Sequence, residues 1–311
     1  MGGGGGGYFN ESPDKYKKII RESREKTKDD KFETTVNEII KDLLSESHRD
    51  PDVTGEHIDE IKGIIEEETI GTLEMRFGGS VSKHTYVDGL SDVDVLVNID
   101  KSELSNSPPQ KVLEYIKTTL YDANSKNIEK ISVGKLAVTV KFSDGEEIQL
   151  LPTVKRYEGI KIPKPEGDGW SKVIRPDKFA SKLTEINQNC RGKAVPVVKL
   201  AKDILSRIPK DQRLTGYHIE SIAIEVFKNY PSDKPCTSKA MLRHFFENAK
   251  DIINSPIKDT TNQSIHVDDY LGHENSAKRM RIGYAVDRIG RRMKNADELG
   301  SVDEWESILG E

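Results

Sequence analysis

The hydrophobic period of the chain changes twice, and the changes divide it. Residues 13–50 place Val36, Ile39, Ile40, Leu43 and Leu44 at helical spacing among many charges, which predicts an amphipathic helix with one apolar stripe. Residues 57–68 repeat the pattern with Ile58, Ile61, Ile64 and Ile65. From Leu73 the period drops to two. Residues 73–77 read as a strand that runs into Gly78-Gly79-Ser80. Residues 91–99 alternate again, with Val93, Val95 and Val97 on one face and Asp92 and Asp94 on the other. A helix follows over 109–121, with proline at its start, where a missing N–H costs nothing. Residues 135–142 and 147–154 read as two strands of a hairpin turned at Ser143-Asp144-Gly145.

Residues 161–168, rich in proline, glycine and charge, mark the boundary between two lobes. Beyond it the period returns to helical, with apolar stripes over 178–189, 195–208, 216–229, 238–254 and 276–296. The expected fold class is therefore α+β. A mixed sheet with flanking helices spans 13–165, a helical lobe spans 166–298, and an acidic tail closes the chain over 299–311. Residues 1–12, with the run Gly2–Gly7, are low in complexity and expected to be disordered. The cleft between two such lobes is the natural place for a ligand.

Composition narrows the classes. The 311 residues suffice for one large domain or two moderate ones. Charged residues make up 32% of the chain, and no run approaches the roughly 18 apolar residues of a membrane span. The first residues lack the basic, apolar and small-residue order of a signal peptide. With only two cysteines, Cys190 and Cys236, there is no disulfide framework and no all-cysteine zinc site. Two thiols fit a reducing, cytoplasmic setting. The histidines show no pair at zinc-ligand spacing. A net charge of −5 argues against a surface coated with nucleic acid. A local basic groove is still open, because Lys278, Arg279, Arg281, Arg288, Arg291 and Arg292 crowd the last long helix. Asp287 and the acidic residues 297–311 lie close by, so that helix reads first as a solvated face with internal ion pairs.

The chemistry concentrates in Phe77-Gly78-Gly79-Ser80 and, after eleven intervening residues, Asp92-Val93-Asp94. A Gly-Gly-Ser turn at a strand end lets the backbone approach a polyphosphate without Cβ obstruction, and offers N–H groups and a hydroxyl as donors. Aspartates at i and i+2 of a strand share one face, so their carboxylates can bridge hard divalent cations such as Mg²⁺ or Mn²⁺. Lys83 and His84 follow the turn closely; they either touch phosphates or are solvated turn residues.

These residues carry a resemblance. The order Gly79-Ser80, then Asp92-Val93-Asp94, resembles the catalytic signature of the polymerase-beta-like nucleotidyltransferases. The longer string GGSVSKHTYVDGLSDVDVLV resembles the cGAS/DncV-like nucleotidyltransferases (CD-NTases) of bacterial anti-phage signalling, the CBASS type, and more distantly the oligoadenylate synthetases. The likeness continues through EIQLLPTVK, Trp170, VVKLAK and GYHIESIAIEVF, and covers roughly residues 30–295. It implies a two-lobed enzyme that joins nucleoside triphosphates (ATP, other NTPs or dNTPs) into cyclic or linear oligonucleotides without a template. Pyrophosphate would be released, and the product would act on a separate effector protein. A regulatory protein or a nucleic-acid activator is a further implied partner. Asp92 and Asp94 would hold the metals, and Gly79 and Ser80 would contact the phosphates. Lys199 matches a phosphate-contacting lysine, and Tyr217 falls near the position of a base-stacking aromatic.

One position departs from the pattern. The family's third carboxylate belongs to an apolar-Asp-apolar-apolar-Pro sequence, and here Gln149 stands in its place, in Ile148-Gln149-Leu150-Leu151-Pro152. A neutral amide is a far poorer metal ligand and cannot act as a base. Three outcomes are open: Glu147 reaches in from the same strand face, two aspartates suffice for slower chemistry, or the protein binds nucleotide without turning it over. Lys199 also reads as a helix lysine that snorkels, and Tyr217 as a core aromatic with a wet hydroxyl. A polymerase that extends a nucleic-acid end shares the same turn. So does a smaller toxin-type transferase, against which the long helical lobe argues.

Overall fold

The computed structural model describes residues 13–45, 50–87, 90 and 92–311; the disorder expected of residues 1–12 lies outside them. Two helices, α1 (Pro13–Ser45) and α2 (Pro51–Glu68), precede the first strand. Asp50 caps α2 by accepting the Asp52 N–H at 2.9 Å, and Pro51 occupies the first helical position. Then come β1 (Gly71–Phe77), β2 (Val93–Ser102), α3 (Pro109–Asp122), β3 (Ile128–Val133), β4 (Val138–Phe142), β5 (Glu147–Arg156) and β6 (Gly159–Lys161). They form a mixed sheet in the order β1-β2-β5-β4-β3, with β6 on the far end of β5. β2 and β5 run parallel, and the other pairs are antiparallel.

Strand alternation decides what each face carries. Val93, Val95, Val97 and Ile99 of β2, with Ile148 and Leu150 of β5, bury against Ile61 and Ile65 of α2 and Ile116 and Leu120 of α3. Asp94 and Leu96 turn to the opposite face. There Leu96 packs with Ile160, Ile162 and Ile174, and the end that carries Asp92 stays exposed. This sheet with its helices, together with a helical part, is the expected α+β class.

The helical part comprises α4 (Pro176–Asn189), α5 (Ala194–Ser206), α6 (Gly216–Phe227), α7 (Ser238–Asn254), α8 (Ala277–Leu299) and α9 (Val302–Leu309). One continuous cluster of buried side chains runs through all six. At its edge Arg279 is fully buried and donates to Asp268 Oδ2 at 2.5 Å and to the Ile253 carbonyl at 2.9 Å.

Four features differ from the sequence pattern, each for a physical reason. α1, grouped by sequence with the sheet, buries Val36 and Ile40 in the helical cluster, because α2 and α3 already cover the helix-facing side of the sheet. β3 was not expected; a register shift between Ile128 and Lys130 breaks its alternation. The boundary segment does not simply lead away, since Ile160 pairs with Ile174 and Pro163 with Trp170. Within residues 299–311, expected as an acidic tail, Val302–Leu309 folds as α9. Trp305 there is fully buried and donates its indole N–H to Asp297 at 2.9 Å. The acids of this stretch mask an apolar stripe of Trp305, Ile308 and Leu309.

Candidate active site

The turn after β1 is tied directly to β2: the Gly78 N–H donates to the Asp94 carbonyl at 2.8 Å. Gly79 follows at φ +49, and a Cβ added there would stand 1.6 Å from Asp94 Oδ2. The turn therefore needs glycine both for its left-handed backbone and for the carboxylate lying against it. Ser80 closes the loop through its carbonyl, which accepts from the Thr85 N–H at 2.9 Å.

Asp92, just before β2, is exposed, and Asp94, within it, is half-buried. Burial first, and the neighbouring Asp92 charge second, push the Asp94 carboxyl above its ordinary value. Two carboxylates that resist sharing a face without a cation make a hard-oxygen donor pair suited to Mg²⁺ or Mn²⁺. Gln149 stands opposite Asp94 across the parallel β2–β5 pair and donates its amide N–H to Asp92 Oδ2 at 2.5 Å. Glu147 begins the same strand and is exposed.

Behind the turn lies a buried charge network that joins the sheet to the helices. Glu220 of α6 pairs with Lys83 of the turn and with Lys202 of α5, the latter at 2.8 Å. Thr85 donates its hydroxyl to Glu220 at 2.5 Å, and Lys202 donates to the Thr85 carbonyl at 2.9 Å. Burial on its own would raise the Glu220 carboxyl, but Lys83 and Lys202 outweigh it and hold it below its usual value. Burial lowers Lys202, against the pull of Glu220. The Lys83 ammonium also sits 5.2 Å from the centre of the Phe179 ring and 5.6 Å from that of Tyr217.

The structure thus brings Gly79, Ser80, Asp92, Asp94, Gln149 and Lys83 together at one end of the sheet, with Tyr217 beside Lys83. Tyr217 is half-buried, tilts against Phe179 at 4.6 Å between ring centres and donates its hydroxyl to Asp259 at 2.8 Å. Burial raises the Tyr217 phenol. Lys199 lies one turn before Lys202, close enough for its charge to help depress that lysine. Among the described residues Lys199 makes none of the turn's hydrogen bonds. His84 is exposed at φ +58. The basic helix α8 is largely paired within the molecule: Arg281 with Asp211, Arg291 with Asp287, and Arg292 with Glu304.

Sequence reasoning missed Lys202, Glu220 and Thr85. The available signal was a charge inside an apolar helical run, Lys202 among Leu200, Ala201 and Ile204, and Glu220 among Ile219, Ile222 and Ala223. Charged residues are seldom buried there without a partner.

No family model and no curated protein matches the chain by sequence. Solved structures do match its fold. The chain is similar to Escherichia coli MS115-1 CdnC, described with ATP, at 17% identity over 88% of this chain and 98% of that one, with a TM-score of 0.67. It is similar to the Bradyrhizobium diazoefficiens CD-NTase CdnG, described in complex with GTP, at 11% identity over 87% and 93%, with a TM-score of 0.66. The STING-associated CdnE c-di-GMP synthase of Capnocytophaga granulosa matches at 13% identity over 82% and 85%, with a TM-score of 0.62. The chain has the fold of the cGAS/DncV-like nucleotidyltransferases.

Proposed function

We propose that a chain with this fold and this turn is a metal-dependent, template-independent nucleotidyltransferase that makes a cyclic or linear oligonucleotide signal for anti-phage defence. The observation that carries the reading is the contact between Gly79 and Asp94. A glycine turn whose backbone lies directly against a strand carboxylate supports a phosphate cradle beside a cation site. In the reaction a ribose hydroxyl oxygen attacks the α-phosphorus of a second nucleotide. The bond from the α-phosphorus to the oxygen that bridges it to the β-phosphate breaks, the hydroxyl proton passes to solvent water, and pyrophosphate leaves.

Asp92 and Asp94 would hold Mg²⁺ or Mn²⁺, which when bound neutralises phosphate charge and favours ionisation of the attacking hydroxyl. Gly79 and Ser80 offer donors to the phosphates. Lys83 supplies a cation at the rim of the turn, with its position set by Glu220. Tyr217, whose ring centre lies 5.6 Å from the Lys83 ammonium, would offer an aromatic surface near a base. Gln149 cannot take a proton, so its role is to orient Asp92 through their hydrogen bond.

CdnC is also described in complex with a HORMA protein, which supports a protein partner for this chain. The paired arginines of α8 leave less free charge for a nucleic-acid acceptor, which weighs against extension of a nucleic-acid end. No helix among the described residues is long and apolar enough to cross a membrane.

The test is incubation of the chain with Mg²⁺ or Mn²⁺ and labelled NTPs and dNTPs, with products resolved by chromatography and mass spectrometry. A discrete oligonucleotide is expected, absent from the Asp92→Ala, Asp94→Ala variant and increased in Gln149→Asp. Product from the double variant at the parental rate would remove the site assignment. The second reading, a nucleotide-binding protein without turnover, rests on the Gln149–Asp92 hydrogen bond. It predicts tight nucleotide binding with no product until Gln149→Asp is made.

A further inference from the structure

A second group of metal-ligand side chains lies on the other face of the sheet, where α2 meets the β4–β5 hairpin. His57 Nε2 stands 2.8 Å from Asp144 Oδ2 and 3.9 Å from Glu146 Oε2. The donor atoms of all three residues lie within 4.8 Å of one another.

The surroundings hold each donor in place. The His57 imidazole stacks on Phe142 with ring centres 3.7 Å apart and planes 14° from parallel. Asp144 accepts the Glu146 N–H on Oδ1 at 3.0 Å and turns Oδ2 to the imidazole. Glu146 accepts the Thr54 hydroxyl on Oε1 at 2.6 Å and turns Oε2 to the same imidazole. Each carboxylate thus accepts a protein hydrogen bond on one oxygen and brings the other within 3.9 Å of Nε2, the kind of support that orients metal ligands. Ligands around a tetrahedral zinc ion lie about 3.4 Å apart for bonds of about 2.1 Å, and the two separations from Nε2 bracket that value. Asp144 is 45% exposed, which leaves solvent access for a fourth ligand.

We propose that His57, Asp144 and Glu146 bind one transition-metal dication of the zinc type, separate from the Asp92–Asp94 pair. The imidazole selects against Mg²⁺, which prefers an all-oxygen octahedral shell. Two carboxylates neutralise the ion. Binding joins α2 to the hairpin whose outgoing strand carries Gln149 three residues after Glu146. An occupied site therefore stiffens the strand end that presents Gln149 to Asp92.

The experiment uses untagged, chelator-treated protein carrying Asp92→Ala and Asp94→Ala, so that neither turnover nor the first carboxylate pair affects the result. Zn²⁺ titrated by calorimetry is expected to bind at one ion per chain and to raise the melting temperature. Glu146→Gln keeps the side-chain shape and is expected to weaken Zn²⁺ binding at least about tenfold. His57→Ala is expected to do the same, and circular dichroism without metal checks that each variant folds. No saturable Zn²⁺ binding in the parent would overturn the proposal. So would unchanged affinity in both variants.

Discussion

Consider replacing Glu220 with glutamine, which keeps the side-chain shape and removes one charge. The Glu220 side chain is 1% exposed, Lys202 7% and Lys83 13%, so solvent screens the three charges little. Removing one partner of a buried ion pair costs about 3–5 kcal/mol, because the remaining charge stays desolvated. Asp94 also senses the charges of Lys83 and Lys202 and compensates part of the loss, which places the expected cost near the low end, about 3 kcal/mol. For a chain of 311 residues that corresponds to a fall in melting temperature of roughly 5 °C. Urea unfolding at neutral pH measures the cost directly. The double variant Glu220→Gln, Lys202→Met removes the pair and keeps its volume, and should recover part of the loss. The double-mutant cycle should then show a coupling above about 1 kcal/mol. A single variant that melts within about 1 °C of the parent, or costs that simply add, would refute the view that this network joins turn and helices.

Three further outcomes follow from particular contacts. Gly79→Val puts branched carbon where Asp94 Oδ2 lies, and should abolish nucleotide binding measured by calorimetry; parental affinity would contradict the phosphate-turn reading. His218 is held down to about 4 by burial, from an ordinary 6.5, despite the pull of Asp268. The unfolded chain therefore takes up a proton first as pH falls, so the stability linked to His218 is full above pH 6.5 and declines toward pH 4, by roughly 3 kcal/mol in all. His218→Asn should flatten the dependence of urea midpoint on pH across that window, and an unchanged slope would discount the assignment. Trp305→Ala removes a fully buried side chain and leaves Asp297 without its indole donor, at an expected cost of about 3–5 kcal/mol; a neutral result in thermal melting would show that α9 adds little to the helical core.

Where strand alternation was clear, the placement of the candidate site residues could be read from the sequence. A period of two places Asp92 and Asp94 on one face whatever else the chain does, and Gly79 was recognisable because only glycine suits a backbone so close to charge. The position of Gln149 opposite Asp94 follows from strand pairing in a parallel sheet. The Lys83–Glu220–Lys202 network was not legible, because Thr85 and Glu220 are 135 positions apart and no local pattern specifies which buried charges meet. Lys199 and Lys202 lie on the same helix three residues apart, and only the three-dimensional packing shows which of them touches the turn. β3 and α9 escaped for local reasons, a register shift in one and an acid-rich surface in the other. The placement of α1 is a global outcome: an apolar stripe states that a helix must bury something, without stating which partner it will meet.

That placement has a consequence for synthesis. Val36 and Ile40 find their neighbours among residues from Phe179 onward, about 140 positions later in translation. At roughly 5–20 residues per second, α1 emerges from the ribosome some 7–30 s before the first of those partners. The sheet cluster is complete by Val154 and can close in the meantime. During that interval the stripe of α1 is an exposed apolar surface on a partly folded nascent chain, the kind of surface that chaperones shield.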